Sequence, residues 1–147
     1  MKDIQETAAR LRTVVRLIKR RAEQLKDKNS PSPSEQSVLV WLDDQGPMTP
    51  RALSDAQQVR PQTMQQSLDS LEHRRWIKRA DHPTDRRQIL ISLSATGRAA
   101  LLKGRKLRQA WLVSELGQLP SRDRKTLADA IAILEHILEK PIKPTLS

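Results

Sequence analysis

Ile4, Ala8, Leu11, Val15, Ile18, Ala22 and Leu25 follow one another at steps of 4, 3, 4, 3, 4 and 3. At about 3.6 residues per turn, that spacing lays one narrow apolar stripe along a helix of about six turns. Arg10, Arg12, Arg16, Lys19, Arg20 and Arg21 occupy the opposite face. A helix this long needs another helix against its stripe, from its own chain or from a second copy. Leu127, Ile131, Leu134 and Leu138 repeat the pattern near the other end, at steps of 4, 3 and 4. Two such stripes flank whatever lies between them.

The middle of the chain is cut short by proline and glycine. Pro31 and Pro33 end the first helix, since neither can continue it. Ser34 reads as the cap of a second helix, with Val38, Leu39, Trp41 and Leu42 as its apolar residues. Gly46-Pro47 stops it. Thr49-Pro50 opens a third helix to about Gln57, with Leu53 and Ala56 inward. After a break at Val59-Arg60, Pro61 opens a fourth, running to about Arg74. There Met64, Leu68 and Leu71 share one side, while Gln62, Thr63, Gln66, Asp69, Ser70 and His73 share the other. An ordinary solvated face carries more Lys and Glu than this one. Two short helices a few residues apart, the second with an amide-rich face, read as helix-turn-helix.

Two short strands follow, Trp76–Ala80 and Gln88–Leu93, joined by the polar loop Asp81-His82-Pro83-Thr84-Asp85-Arg86-Arg87. A basic hairpin directly after a helix-turn-helix is a wing. Ala95 to about Leu116 forms a long helix ended by Gly117 and Pro120. Ser121 caps the last helix, and Pro141 stops it. Residues 142–147 either fray or lie against a partner.

Composition narrows the function. Lys and Arg number 27 against 17 Asp and Glu, a formal charge of +10, which draws the chain to polyanions. The absence of cysteine excludes disulfides, thiolate metal sites and thiol redox sensing. With three Trp and neither Phe nor Tyr, a base-stacking platform is not expected. His73, His82 and His136 fall on separate elements, so no metal site is expected, and no cofactor. No phosphate loop, nucleophile elbow or paired metal histidines point to an enzyme. The charged N-terminus and the lack of a long apolar run point away from membranes and toward the cytoplasm.

The order of elements, with Leu68–Arg79, Asp85-Arg86-Arg87 and Leu93-Ser94-Ala95-Thr96-Gly97, resembles the multiple antibiotic resistance regulator (MarR) family of winged helix-turn-helix transcription factors. That family's wing reads Asp-x-Arg, then a strand ending Leu-Thr-x-x-Gly. Asp85, Arg87, Leu93 and Gly97 match, and Ser94 stands for Thr. Two positions depart. Arg75 occupies the place of the glycine that usually follows the recognition helix, so either Arg75 is left-handed or the turn differs. Arg60-Pro61 stands where the family often has Ser.

The expected architecture is mainly α with a small β-hairpin wing. A winged helix-turn-helix over 34–94 is flanked by dimerisation helices over 1–30 and 95–147, within one domain spanning 1–147. The resemblance implies a two-fold homodimer whose wings and recognition helices bind double-stranded DNA at a palindromic operator. The two stripes supply the interface: Ile4, Ala8, Leu11 and Val15 with Leu127, Ile131, Leu134 and Leu138.

DNA binding needs cations for phosphates and directional groups for base edges. Gln62, Thr63 and Gln66, with Gln65 at the margin and Ser70 on the same face, are the candidates for the major groove. Arg60 and Arg74 lie close enough for phosphates. Thr49 either caps its helix or presents backbone N–H groups to a phosphate. Arg86 at the wing tip suits a minor groove, assisted by His82 and Thr84. Arg87 either joins it or pairs with Asp69, fixing the wing on the helix, as the resemblance also implies. Many relatives of this kind respond to small aromatic acids, so a small aromatic or acidic effector is expected in a cleft for which Arg16, Trp41, Met48 and Trp111 are the candidate lining, with core packing the preferred reading for Trp41 and Trp111. The reading is a repressor released by that effector. The alternatives are a winged-helix module that binds a protein and a nonspecific DNA-coating protein.

Overall fold

The computed structural model describes residues 1–141 of the 147. The expectation for residues 142–147 lies outside the described residues. Eight elements follow in order: α1 (Lys2–Gln24), α2 (Pro33–Gln45), α3 (Pro50–Gln57), α4 (Pro61–His73), β1 (Ile77–Asp81), β2 (Ile89–Leu93), α5 (Ala95–Gly117) and α6 (Ser121–Leu138). The strands pair antiparallel, with Ile77 opposite Leu93 and Asp81 opposite Ile89. The chain divides into two compact units within α5, one of residues 1–108 and one from Gln109 onward.

In the first unit, one apolar core joins the central elements. Val38, Leu39 and Leu42 come from α2, Leu53 from α3, and Met64, Leu68 and Leu71 from α4. Ile77, Ile91 and Leu101 close it from the hairpin and α5. The core therefore holds the inner face of α4 and the root of the hairpin in one packed body. Met64, Leu68 and Leu71 are the three residues that the helical period places inward.

Two cap assignments are corrected. Ser32, not Ser34, caps α2, accepting from the Glu35 backbone N–H at 3.2 Å. Pro33 then fills the first helical position, where a missing N–H costs nothing. Ser121 is the first helical residue of α6 rather than its cap, because the Pro120 carbonyl already accepts from the Arg124 N–H. Thr49 does cap α3, its hydroxyl accepting from Ala52 N–H at 3.1 Å.

The terminal helices leave their stripes open. Ile4, Leu11, Val15 and Ile18 of α1 are exposed, as are Leu127, Ile131 and Leu138 of α6. Neither helix buries a single residue. No helix among the described residues is long and apolar enough to cross a membrane.

Candidate nucleic-acid interface

The turn between α3 and α4 closes through Gln58, which stands left-handed at φ 53°. Its N–H and that of Val59 return to the carbonyls of Asp55 and Ser54. Pro61 starts α4 behind Arg60, which is exposed. The outer face of α4 then presents Gln62, Thr63, Gln65 and Gln66, all exposed, as the helical period requires.

The hairpin stands on α4 through Arg79. Its guanidinium meets Asp69 Oδ1 at 3.1 Å through Nη2 and donates to Glu72 through Nε. The expected Asp69–Arg87 pair is therefore corrected. Alternation along β1 puts Arg79 on the same face as buried Ile77, toward the helix. Arg87 lies beyond the strands, 93% exposed, with only Asp85 near it at 3.6 Å.

The loop beyond the strands is organised by its own polar groups. His82 Nδ1 accepts from the N–H groups of Thr84 and Asp85, at 3.2 and 3.1 Å. Asp85 Oδ1 accepts from Arg87 N–H at 3.0 Å. His82 and Thr84, read from sequence as DNA contacts, are therefore the struts of the loop. Arg86 and Arg87 are left exposed on it.

Ser70 and Arg74 are corrected in the same sense, because both turn toward α2. Ser70 Oγ donates to Glu35 Oε1 at 3.3 Å, and Arg74 Nε sits 3.3 Å from Glu35 Oε2. Arg74 Nη1 also donates to the Asn29 carbonyl at 3.1 Å, and its guanidinium lies 4.6 Å over the Trp76 ring. Glu35 is almost wholly buried, and a buried carboxylate needs such partners. Arg74 is spent on the fold.

A polar recognition face and a cationic wing on one packed body are what a DNA reader needs. Comparison with known proteins agrees. The MarR family profile matches residues 31–88. The chain is 40% identical to an HTH-type transcriptional regulator of Mycobacterium leprae, over 84% of this chain and 90% of that one. The chain belongs to the MarR family. It is a transcriptional regulator with a DNA-binding winged-helix fold, in a family of non-enzymatic proteins. Solved structures share that fold. A transcriptional regulator of Thermotoga maritima superposes with a TM-score of 0.81 at 20% identity, covering 92% of this chain and 95% of that one. A variant of S. aureus MepR, bound to an oligodeoxyribonucleotide, gives 0.72 at 18% identity, covering 90% and 97%.

The MarR wing motif gains a physical reading here. Ser94 Oγ donates to the Arg75 carbonyl at 2.6 Å and accepts from Gly97 N–H at 3.0 Å. One hydroxyl thus caps α5 and pins the turn after α4. That turn contains Arg75 at φ 60°, so the first of the two alternatives holds and Arg75 takes the left-handed place of the family's glycine.

The four residues named for an effector cleft fall in separate places, and Trp41 follows the core-packing alternative. Met48 is half-buried and pairs through its backbone with Ile91, at 2.8 and 3.0 Å, as an isolated bridge on the edge of β2 away from β1. Trp41 packs on the core, Arg16 is exposed on α1, and Trp111 belongs to the second unit. A cavity of about 190 Å³ lies elsewhere in the first unit, lined by Leu25, Pro31, Trp76, Lys103, Leu107 and Arg108 among others. In its wall, Asp27 accepts from the Asn29 N–H, which holds its carboxyl below the usual carboxylate range. None of the four expected residues lines that cavity. Among the described residues, no cluster of His, Asp or Glu could hold a metal ion.

The sequence reading placed Arg79 only among the cations near the wing, Glu35 only as a first-turn acid and Ser94 only as a motif match, and missed the contacts each makes. Arg79 was detectable: it sits two residues after an inward Ile77, and Asp69 and Glu72 are one turn apart on α4. Glu35 gave no such sign, since an acid in a first helical turn is explained by the helix dipole alone.

Proposed function

We propose that this MarR-family regulator acts as a homodimer that reads a palindromic operator and represses transcription until a small molecule releases it. The observation that carries this reading is the exposed face of α4. Gln62, Thr63 and Gln66 stand exposed there, with Asp69, the carboxylate of that face, tied to Arg79, and the wing loop adds the exposed cations Arg86 and Arg87. Amides and a hydroxyl discriminate base edges, and wing cations supply sequence-independent attraction to phosphates. Arg86 enters the minor groove, Arg87 joins it, and Arg60 meets a phosphate. Residues 34–94 are the DNA-reading lobe. Residues 1–30 and 95–147 form the dimerisation part, through α1, α5 and α6.

The exposed stripes of α1 and α6 support the dimer, because an apolar face of that length is seldom left to water. Two recognition helices about one DNA turn apart then fit a palindrome. The cavity beside Trp76 supports release by a ligand. Its wall combines apolar Leu25, Pro31 and Leu107 with three cations, Lys26, Lys103 and Arg108, against one carboxylate, Asp27, a lining whose net positive charge suits a small apolar anion.

Selection of bound fragments from sheared genomic DNA tests the reading, at about 150 mM salt with competitor. Recovery of a few fragments sharing a palindrome is expected, with discrimination of at least about 10³ over random DNA. Recovery of all fragments alike would mean a coating protein. Recovery of none would mean a protein-binding module.

A further inference from the structure

A carboxylate in the middle of a DNA-reading face needs a reason, since it repels every nearby phosphate. Asp69 is such a group. It shares the outer side of α4 with Gln62 and Gln66, and its side chain is 65% exposed. The chain carries +10, yet it places two carboxylates, Asp69 and Glu72, against one cation, Arg79. The cluster is therefore net anionic.

The hydrogen bonds around Asp69 are one-sided. Oδ1 accepts both from Gln65 Nε2, at 2.8 Å, and from Arg79 Nη2, at 3.1 Å. Among the described residues, Oδ2 accepts from nothing. One oxygen is thus anchored from two sides, by the helix at one turn's distance and by the wing. The other is held in place facing solvent, open to a donor from a ligand.

We propose that Asp69 is a specificity-determining residue that reads cytosine in the major groove through Oδ2, with Arg79 and Gln65 as its positioning residues. A carboxylate can only accept. Among the major-groove edges, guanine and thymine offer acceptors, which it repels. Adenine offers its amino group beside the N7 acceptor. Cytosine offers an amino donor and no acceptor, and so meets a carboxylate without opposition. Arg79 offsets part of the charge that would otherwise weaken binding. This proposal rests on the reading of α4 as a recognition helix.

The test selects bound duplexes from a randomised library with the full-length protein and with Asp69→Asn. The substitution is isosteric and exposed, and circular dichroism melting checks the fold. Wild type is expected to fix a cytosine at one position of each half-site. At that position alone, Asp69→Asn should lose about 5- to 150-fold of the preference over thymine, with the other positions unchanged. Changing that C·G pair to T·A should then weaken wild type strongly and the variant little. Arg79→Met should blunt the same preference without moving it. If Asp69→Asn folds and keeps every preference, Asp69 only clasps the wing and the proposal fails. It fails equally if the folded variant binds no sequence at all, for then the loss is one of wing placement. A wild type that selects no sequence overturns the broader reading of α4 instead.

Discussion

Gly97, in the first turn of α5, lies directly against the backbone carbonyl of Trp76. A Cβ built on Gly97 would stand far inside contact distance of that oxygen and 2.9 Å from its carbon. The same oxygen accepts from Ser94 N–H at 3.0 Å, so it has no room to move. The turn after α4, the strand end and the start of α5 are thereby stacked at one point. Gly97→Ala should cost about 1–3 kcal/mol or more by overpacking, read as a lower midpoint in urea with an unchanged slope. A variant as stable as wild type would show that this packing yields easily.

Arg75 illustrates the opposite case. At φ 60° it bears a left-handed backbone while its side chain is exposed. Left-handed geometry costs an ordinary residue about 1–2 kcal/mol, and glycine returns part of that gain through its freer unfolded chain. Arg75→Gly should therefore raise stability by about 0.5–1 kcal/mol. The urea midpoint checks it, and a fall in stability would mean that the Arg75 side chain makes a contact of greater worth.

The division of arginines into binding and structural roles has a direct readout in salt dependence. Each phosphate cation lost should lower the slope of log affinity against log salt by about 0.9. Arg86→Ala should show that fall. Arg74→Ala should leave the slope unchanged, because Arg74 is spent on Glu35, Asn29 and Trp76. It should instead destabilise the fold by about 1–3 kcal/mol. That figure is discounted from the cost of breaking a fully buried pair, since Arg74 is 29% exposed. Slopes that move the other way round would reverse the two assignments.

What was legible in the sequence follows the physics of each signal. Helical and strand periods report burial, so Met64, Leu68 and Leu71 were placed correctly inside, and Gln62, Thr63 and Gln66 outside. Proline and the Thr49 cap report local backbone geometry, which needs no tertiary information. Pairings across elements are different, because a side chain's partner depends on register and on the angle between elements. Asp69 could be recognised as needing a cation, but only the strand register chooses Arg79 over Arg87. Ser70 and Arg74 fall on the boundary of the outer face, where a shift of one helix angle separates groove from neighbour. Met48 was lost for the same reason: a single bridge to Ile91 has no periodic trace.

The stripes of α1 and α6 give the last prediction. Leu11 and Ile131 are apolar residues left exposed in a single chain, one on each terminal helix. If a second copy covers them, a carboxylate placed there would lose its water without gaining a partner. Leu11→Glu and Ile131→Glu should each shift sedimentation from twice the 16.8 kDa chain mass toward one chain at micromolar concentration. Affinity for a palindromic duplex should fall with it. A half-site duplex should lose less, because one recognition helix and one wing suffice to hold it. The helices themselves carry Glu readily, so circular dichroism should change little. Variants that sediment and bind as wild type would place the dimer seam elsewhere or remove it.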